Sequence, residues 1–130
     1  MVESQSVFMD IPPDQHLLRG EHFFVIKDAF PVSPGHCLIV SRKPRTDYFE
    51  LSEDERHELT ALVHEVRNWI EQNHSPGGYN IGMNCGRIAG QTVMHFHCHV
   101  IPRYSGDMDK PEGGIRHCIA GRGFYEVKGT

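Results

Sequence analysis

The chain has 130 residues, with 13 Lys and Arg against 17 Asp and Glu, ten His and a formal net charge of -4; 38% of residues are hydrophobic and 23% charged. That length supports one core, so residues 1–130 are expected to form a single domain, and the charge balance excludes a basic nucleic-acid surface or a polybasic membrane anchor. No apolar run approaches the ~18 residues that span a bilayer. Met1 to Asp10 carry no basic stretch followed by an apolar one, which argues against a signal peptide. Cys37, Cys85, Cys98 and Cys118 are widely spaced with no CxxC pair, so they read as buried free thiols and the expected location is the reducing cytoplasm.

Residues 1–20 read as a lead-in, broken by Pro12-Pro13. His22 to Ile26 predicts a buried strand, Ala29 to Gly35 a turn punctuated by prolines, and His36 to Val40 a second strand able to form a hairpin with the first. Ser52 followed by Glu55 is a capping-box pattern. Leu59, Leu62, Val63, Val66 and Ile70 then recur at helical spacing until Ser75-Pro76-Gly77-Gly78. Tyr79, Ile81 and Met83 alternate with smaller or polar residues and predict a half-exposed strand. After the loop Cys85 to Thr92, a last strand carries His95, His97 and His99 and closes at Pro102. Beyond Tyr104 the chain is rich in Gly and Pro, so 106–130 is expected to be mostly irregular and the core to lie at about 20–105. The order β-β-α-β-β argues for an α+β domain with a helix packed on an antiparallel sheet.

On a strand, the period of two puts His95, His97 and His99 on one face and Phe96, Cys98 and Val100 on the other. As metal ligands the outer two histidines would stand ~13 Å apart, which strains a shared ion. As phosphoryl chemistry the row fits better. Neutral imidazole is a nucleophile near pH 7 and can form a phosphoramidate. Flanking imidazoles can donate to the non-bridging oxygens where charge develops. Gly86 to Gly90 is a loop that can add backbone donors. A zinc enzyme or a nucleotide-binding module with little catalysis stays open on the residues alone.

The stretch Gln91-Thr92-Val93-Met94-His95-Phe96-His97-Cys98-His99-Val100-Ile101-Pro102-Arg103 resembles the signature of the histidine triad (HIT) family, and Pro34-Gly35-His36 with Leu38-Ile39-Val40, Asn84 and Ala89-Gly90 fit its other landmarks. The likeness covers about residues 20–105 and is strongest to the diadenosine polyphosphate hydrolase and Fhit-like branch and its bacterial relatives. It implies a five-stranded antiparallel sheet with one long helix and a homodimer with a continuous ten-stranded sheet. It implies a nucleotide hydrolase acting on a dinucleoside polyphosphate through a nucleotidyl intermediate on His97; the alternative is a purine nucleoside phosphoramidase of the HINT type. By the same resemblance a backbone carbonyl holds one nitrogen of His97 protonated, His99 bonds the phosphate oxygens, and His95 contacts the phosphate region and supports His97, with His36 behind it. Asn84, Gln91 and Thr92 would contact phosphate or the leaving group, with Thr92 donating the proton. Asp28 stands where the family places a ribose ligand. Phe24 and Ile26, with Phe8 and Ile11, would sandwich the base, and Arg103 would reach distal phosphates. No protein-held cofactor or metal is implied; a magnesium ion carried by a polyphosphate would need no ligands of its own. Retention of His99 favours hydrolysis over the two-histidine transferase branch. Glu112-Gly113-Gly114-Ile115-Arg116 is similar to a Gly-Gly-Val-Arg element of bacterial members.

Overall fold

The computed structural model describes residues 6–126, so the first five residues of the lead-in and residues 127–130 of the tail lie outside it. Its strands are β1 (Leu18–Arg19), β2 (Phe23–Lys27), β3 (Cys37–Ser41), β4 (Gly78–Gly82) and β5 (His97–Arg103), and its long helix is α1 (Glu53–Asn73). They form one antiparallel five-stranded sheet in the order β1-β2-β3-β5-β4. β1 falls within the stretch read from sequence as a lead-in; two residues are too few to carry a readable alternation.

The helix forms where the capping pattern predicts. The Ser52 hydroxyl accepts from the Glu55 amide at 3.2 Å, and Glu55 Oε1 accepts from the Ser52 amide at 2.7 Å. Leu59, Leu62, Val66 and Ile70 then bury one stripe against the sheet, with Val63 packed at its side. Facing them are Phe23 and Val25 of β2, Cys37 and Ile39 of β3, and Cys98 and Val100 of β5. This is the main core.

Alternation sends Phe24, Ile26, Leu38 and Val40 to the opposite face, where Phe8 and Ile11 of the N-terminal segment cover them. A 3-10 turn, Val7–Asp10, brings Phe8 there; the Ser6 hydroxyl accepts from its amide at 3.3 Å. The cross-strand register aligns Ile26, Leu38 and His99 in one row and Phe24, Val40 and His97 in the next. The histidine face is therefore continuous with the second, smaller core.

The strand of histidines begins later than expected. His95 precedes β5, because β3 ends at Ser41 and the Phe96 amide donates instead to the Arg45 carbonyl at 2.6 Å. At its other end β5 runs through Pro102 to Arg103. Pro102 is tolerated because the pairing with β3 has stopped at Val100, leaving only β4 alongside. Beyond Arg103 the described chain holds turns and one 3-10 helix, Gly114–Cys118. Ile115 of that helix packs against Gly82 of β4, where an added Cβ would lie 3.9 Å from its Cδ1. No helix among the described residues is long and apolar enough to cross a membrane.

All four cysteines are free, but only Cys37 and Cys98 are buried; Cys85 is half-buried and Cys118 is exposed, which corrects the expectation of four buried thiols. Burial pushes the Cys37 and Cys98 thiols up to about 12. Alkylation of the native protein at pH 8 is expected to label Cys118 first and to spare Cys37 and Cys98 until denaturant is added. Peptide mass spectrometry reads the order, and early labelling of Cys37 would contradict its burial.

Candidate active site

His97 and His99 project from β5 into a cavity of about 980 Å³ that Asn84, Gly90, Thr92 and Asp28 also line. Its apolar wall includes Phe8, Ile11, Ile26 and Leu38. The Phe8 ring packs on His97, with centroids 4.9 Å apart, and meets His95 edge-on at 5.9 Å.

Hydrogen bonds order the protons of the imidazoles. His97 Nδ1 lies 2.8 Å from the His95 carbonyl, which can only accept. Nδ1 therefore carries hydrogen, and in the neutral ring Nε2 keeps its lone pair. His95 itself is buried, with Nε2 2.7 Å from the Ser41 carbonyl, so it too donates to backbone. The Ser41 hydroxyl, 3.2 Å from the same nitrogen, gives its own proton to the Lys43 carbonyl at 2.7 Å. His95 is buried and does not line the cavity, so it meets His97 through its carbonyl and does not reach the phosphate region as the family likeness implied.

His36 is not behind His95. Its Nε2 is 2.9 Å from His99 Nδ1 and 3.3 Å from Asp28 Oδ2, while its Nδ1 accepts from the Val32 amide at 3.2 Å. An acceptor at Nδ1 places the proton of neutral His36 on Nε2, from which it is donated to His99 Nδ1. His99 then carries its own proton on Nε2. His97 offers a lone pair and His99 an N–H from adjacent same-face positions of β5, with rings 5.3 Å apart.

Burial, with His97 and His36 alongside, pushes His99 down to about 4, and Asp28 works weakly the other way. Burial likewise lowers His36 against the pull of Asp28, and lowers His95 against its bond to Ser41. The downward shift of His99 favours its uncharged form at neutral pH. Asp28, His36 and His99 each offer one atom of metal-ligating type within 4.8 Å of the others. The Val32 bond fills His36 Nε2 with a proton, so the trio is a hydrogen-bonded network rather than an open donor set.

Several expected contacts stand elsewhere. Phe24 is buried in the smaller core beneath His16, which stacks on it at 4.1 Å, and does not line the cavity; Ile26 does. Gln91 is buried and committed to the loop: Oε1 accepts from the Gly86 amide at 2.8 Å and Nε2 donates to the Thr46 carbonyl at 2.6 Å. The amides of Gly86, Ala89, Gly90 and Gln91 all donate within that loop, so they are not the free phosphate donors expected of it. Arg103 lies at the far end of β5, fixed by Asp107 at 2.8 Å and Asn80 at 2.6 Å, away from the cavity. Asn84 and Thr92 do line the cavity. Sequence gave no sign of Ser41 or Val32; each matters through its main chain, which carries no residue-type signal.

A protein-family model described as the HIT domain matches residues 11–106. An uncharacterized HIT-like protein of Methanocaldococcus jannaschii is 34% identical over 120 residues, spanning 90% of this chain and 91% of its own. A protein named AP-4-A phosphorylase in Mycobacterium tuberculosis is 32% identical over 90 residues, spanning 68% of this chain but 46% of its own length. Among solved structures, a hypothetical histidine triad nucleotide-binding protein of Sulfolobus tokodaii is 36% identical with a TM-score of 0.67, covering 71% of this chain and 62% of that one.

Proposed function

Because the chain belongs to the HIT domain family, we propose that it hydrolyses a dinucleoside polyphosphate, such as diadenosine tetraphosphate, through a nucleotidyl intermediate on His97. The observation that carries this reading is the bond from His97 Nδ1 to the His95 carbonyl beneath a large cavity. It aims the Nε2 lone pair, the nucleophilic atom, at whatever the cavity holds.

In the first step His97 Nε2 bonds to the α-phosphorus and the bond from phosphorus to the bridging oxygen breaks. The leaving phosphate takes a proton, for which Thr92, in the cavity lining, is the candidate donor. His99 Nε2–H donates to a non-bridging oxygen as charge gathers there. In the second step water attacks the phosphoramidate, the phosphorus–nitrogen bond breaks, and His97 is regenerated with release of the nucleoside monophosphate. Ile11, Ile26 and Leu38 supply an apolar wall for a base. At about 980 Å³ the cavity stands at the upper end of the ~300–1,000 Å³ of small-molecule sites, which suits more than one nucleoside phosphate. The name of the M. tuberculosis relative, AP-4-A phosphorylase, points to the same substrate class. Magnesium would enter, if at all, on the polyphosphate. β4 ends the sheet with one side unpaired, which supports its pairing with a second copy in a homodimer.

Acid quench during turnover of diadenosine tetraphosphate tests the proposal. Intact-mass spectrometry is expected to find an added nucleotidyl group of ~329 Da. Nucleotide binding and turnover with no adduct would point to direct displacement by water. Faster labelling by adenosine phosphoramidate would move the substrate to the phosphoramidate class.

A further inference from the structure

Three atoms meet beside the phosphate donor His99 with one proton between two imidazoles. His36 Nε2 is 2.9 Å from His99 Nδ1, and Asp28 Oδ2 is 3.3 Å from the first and 3.8 Å from the second. Asp28 Oδ1 is held separately, accepting from the Phe30 amide at 2.8 Å. The carboxylate is therefore turned by its own loop toward the histidine pair, and both of its oxygens have protein neighbours. Its side chain is 14% exposed, that of His36 2% and that of His99 24%, so water reaches the trio mainly at His99.

This arrangement fixes what happens if the pair gains a proton. A second proton on His99 Nδ1 would face the N–H of His36 at 2.9 Å, a donor against a donor. That clash is relieved only if one N–H finds another acceptor. Asp28 Oδ2 is the anion within reach of both. The other ionisable groups around His99 are His97 on β5 and His36 just before β3, neither of which can take that part; Lys27 lines the cavity but brings positive charge.

We propose that Asp28 is a positioning residue that lets His99 take up a proton from solvent when a phosphate enters the cavity. The phosphate dianion at Nε2 favours the imidazolium. The incoming proton goes to His99 Nδ1, and the His36 Nε2–H turns to Asp28 Oδ2. His99 then meets the transferring phosphoryl group as a cation, and charge-assisted hydrogen bonds are roughly twice as strong as neutral ones. Without phosphate the same ring is neutral, so His99 becomes a cation only when the cavity is occupied. The inference rests on the phosphate-binding reading of the cavity, and it differs from a ribose contact, which would engage Asp28 with sugar hydroxyls instead.

Calorimetric titration of the full chain with adenosine 5′-monophosphate at pH 7.5, in buffers of different ionisation enthalpy, measures the protons taken up. Wild type is expected to absorb a substantial fraction of one proton per nucleotide, and Asp28→Asn close to none. The 15N shifts of His99 in the complex should show both ring nitrogens protonated in wild type and one in the variant. With substrate, Asp28→Asn should lower kcat about tenfold for ribonucleotide and 2′,3′-dideoxy forms alike. Equal proton uptake in both proteins, or a loss confined to KM for the ribo form, overturns the proposal. Failure of the nucleotide to bind wild type at all would instead overturn the functional reading beneath it, while proton uptake without turnover would leave the Asp28 role standing and remove only the hydrolase.

Discussion

Replacing His97 by Asn is expected to lower kcat on diadenosine tetraphosphate by at least ~10⁴-fold, about 5.5 kcal/mol of barrier, and to abolish the nucleotidyl adduct. Among the described residues, this side chain carries the only cavity-lining imidazole whose Nδ1 is fixed by a backbone carbonyl. Asparagine keeps much of the volume and can still donate to the His95 carbonyl, but its amide has no nucleophilic lone pair. The sheet should be little disturbed, because the ring faces the cavity and touches Phe8 rather than the helix-side core. Nucleotide affinity should survive, since the apolar wall and His99 remain. Kinetics, quench mass spectrometry and a thermal melt together check this. Near-wild-type turnover in the variant would exclude His97 as nucleophile.

The largest loss of stability is expected at Glu55, which is 1% exposed at the start of α1. Its carboxylate accepts from the Ser52 amide at 2.7 Å and from Arg45 Nε at 3.0 Å, so it closes the helix cap and pins the 42–47 loop. Glu55→Ala removes both bonds and strands Arg45, at a cost of about 2–4 kcal/mol, or roughly 10 °C in Tm. Burial pushes this carboxyl up, but the bonds from Ser52 and Arg45 more than reverse it, and its pKa is lowered overall. A carboxyl depressed in the folded state contributes fully above its unfolded value of ~4.3 and loses that contribution as pH falls through the folded value. The gap between wild type and variant should therefore be widest near neutrality and narrow in acid. Because the Arg45 and Thr46 carbonyls receive the Phe96 amide and Gln91 Nε2, the variant should also lose some activity before it unfolds. Denaturant melts from pH 3 to 8 test this, and a pH-independent gap would mean that the carboxylate charge is irrelevant.

The periodic elements were legible because burial imposes period on residue type. The helix stripe, the two Phe/Val/Ile/Leu strands and the His97–His99 alternation all follow from it. Chemistry was legible where it depends on an imidazole, and less so where it depends on where a side chain happens to reach. Phe24 alternates correctly onto the histidine face, yet His16 covers it, and nothing in the local pattern announces a stacking partner eight residues earlier. Arg103 shares a strand with His97 but is captured by Asp107 in the following turn. The family likeness assigned Gln91 to phosphate or the leaving group, but its side-chain amide is spent on the Gly86 amide and the Thr46 carbonyl. The Gly-rich loop suggested free amides, but those of Gly86, Ala89, Gly90 and Gln91 are taken up within its tight turn. In each case a group expected to await substrate, the Phe24 ring as much as the polar ones, is already engaged by its neighbours.

The hydrogen bond that readies His97 comes from the main chain of residue 95, and every amino acid has that carbonyl. Side-chain replacement at 95 therefore perturbs the packing against Phe8 and the bond to Ser41, yet leaves the acceptor in place. The tautomer of His97 is in this sense robust to mutation. A saturation library at position 95 would score how well an imidazole fills a buried niche, and only a backbone ester substitution would expose the value of the carbonyl itself.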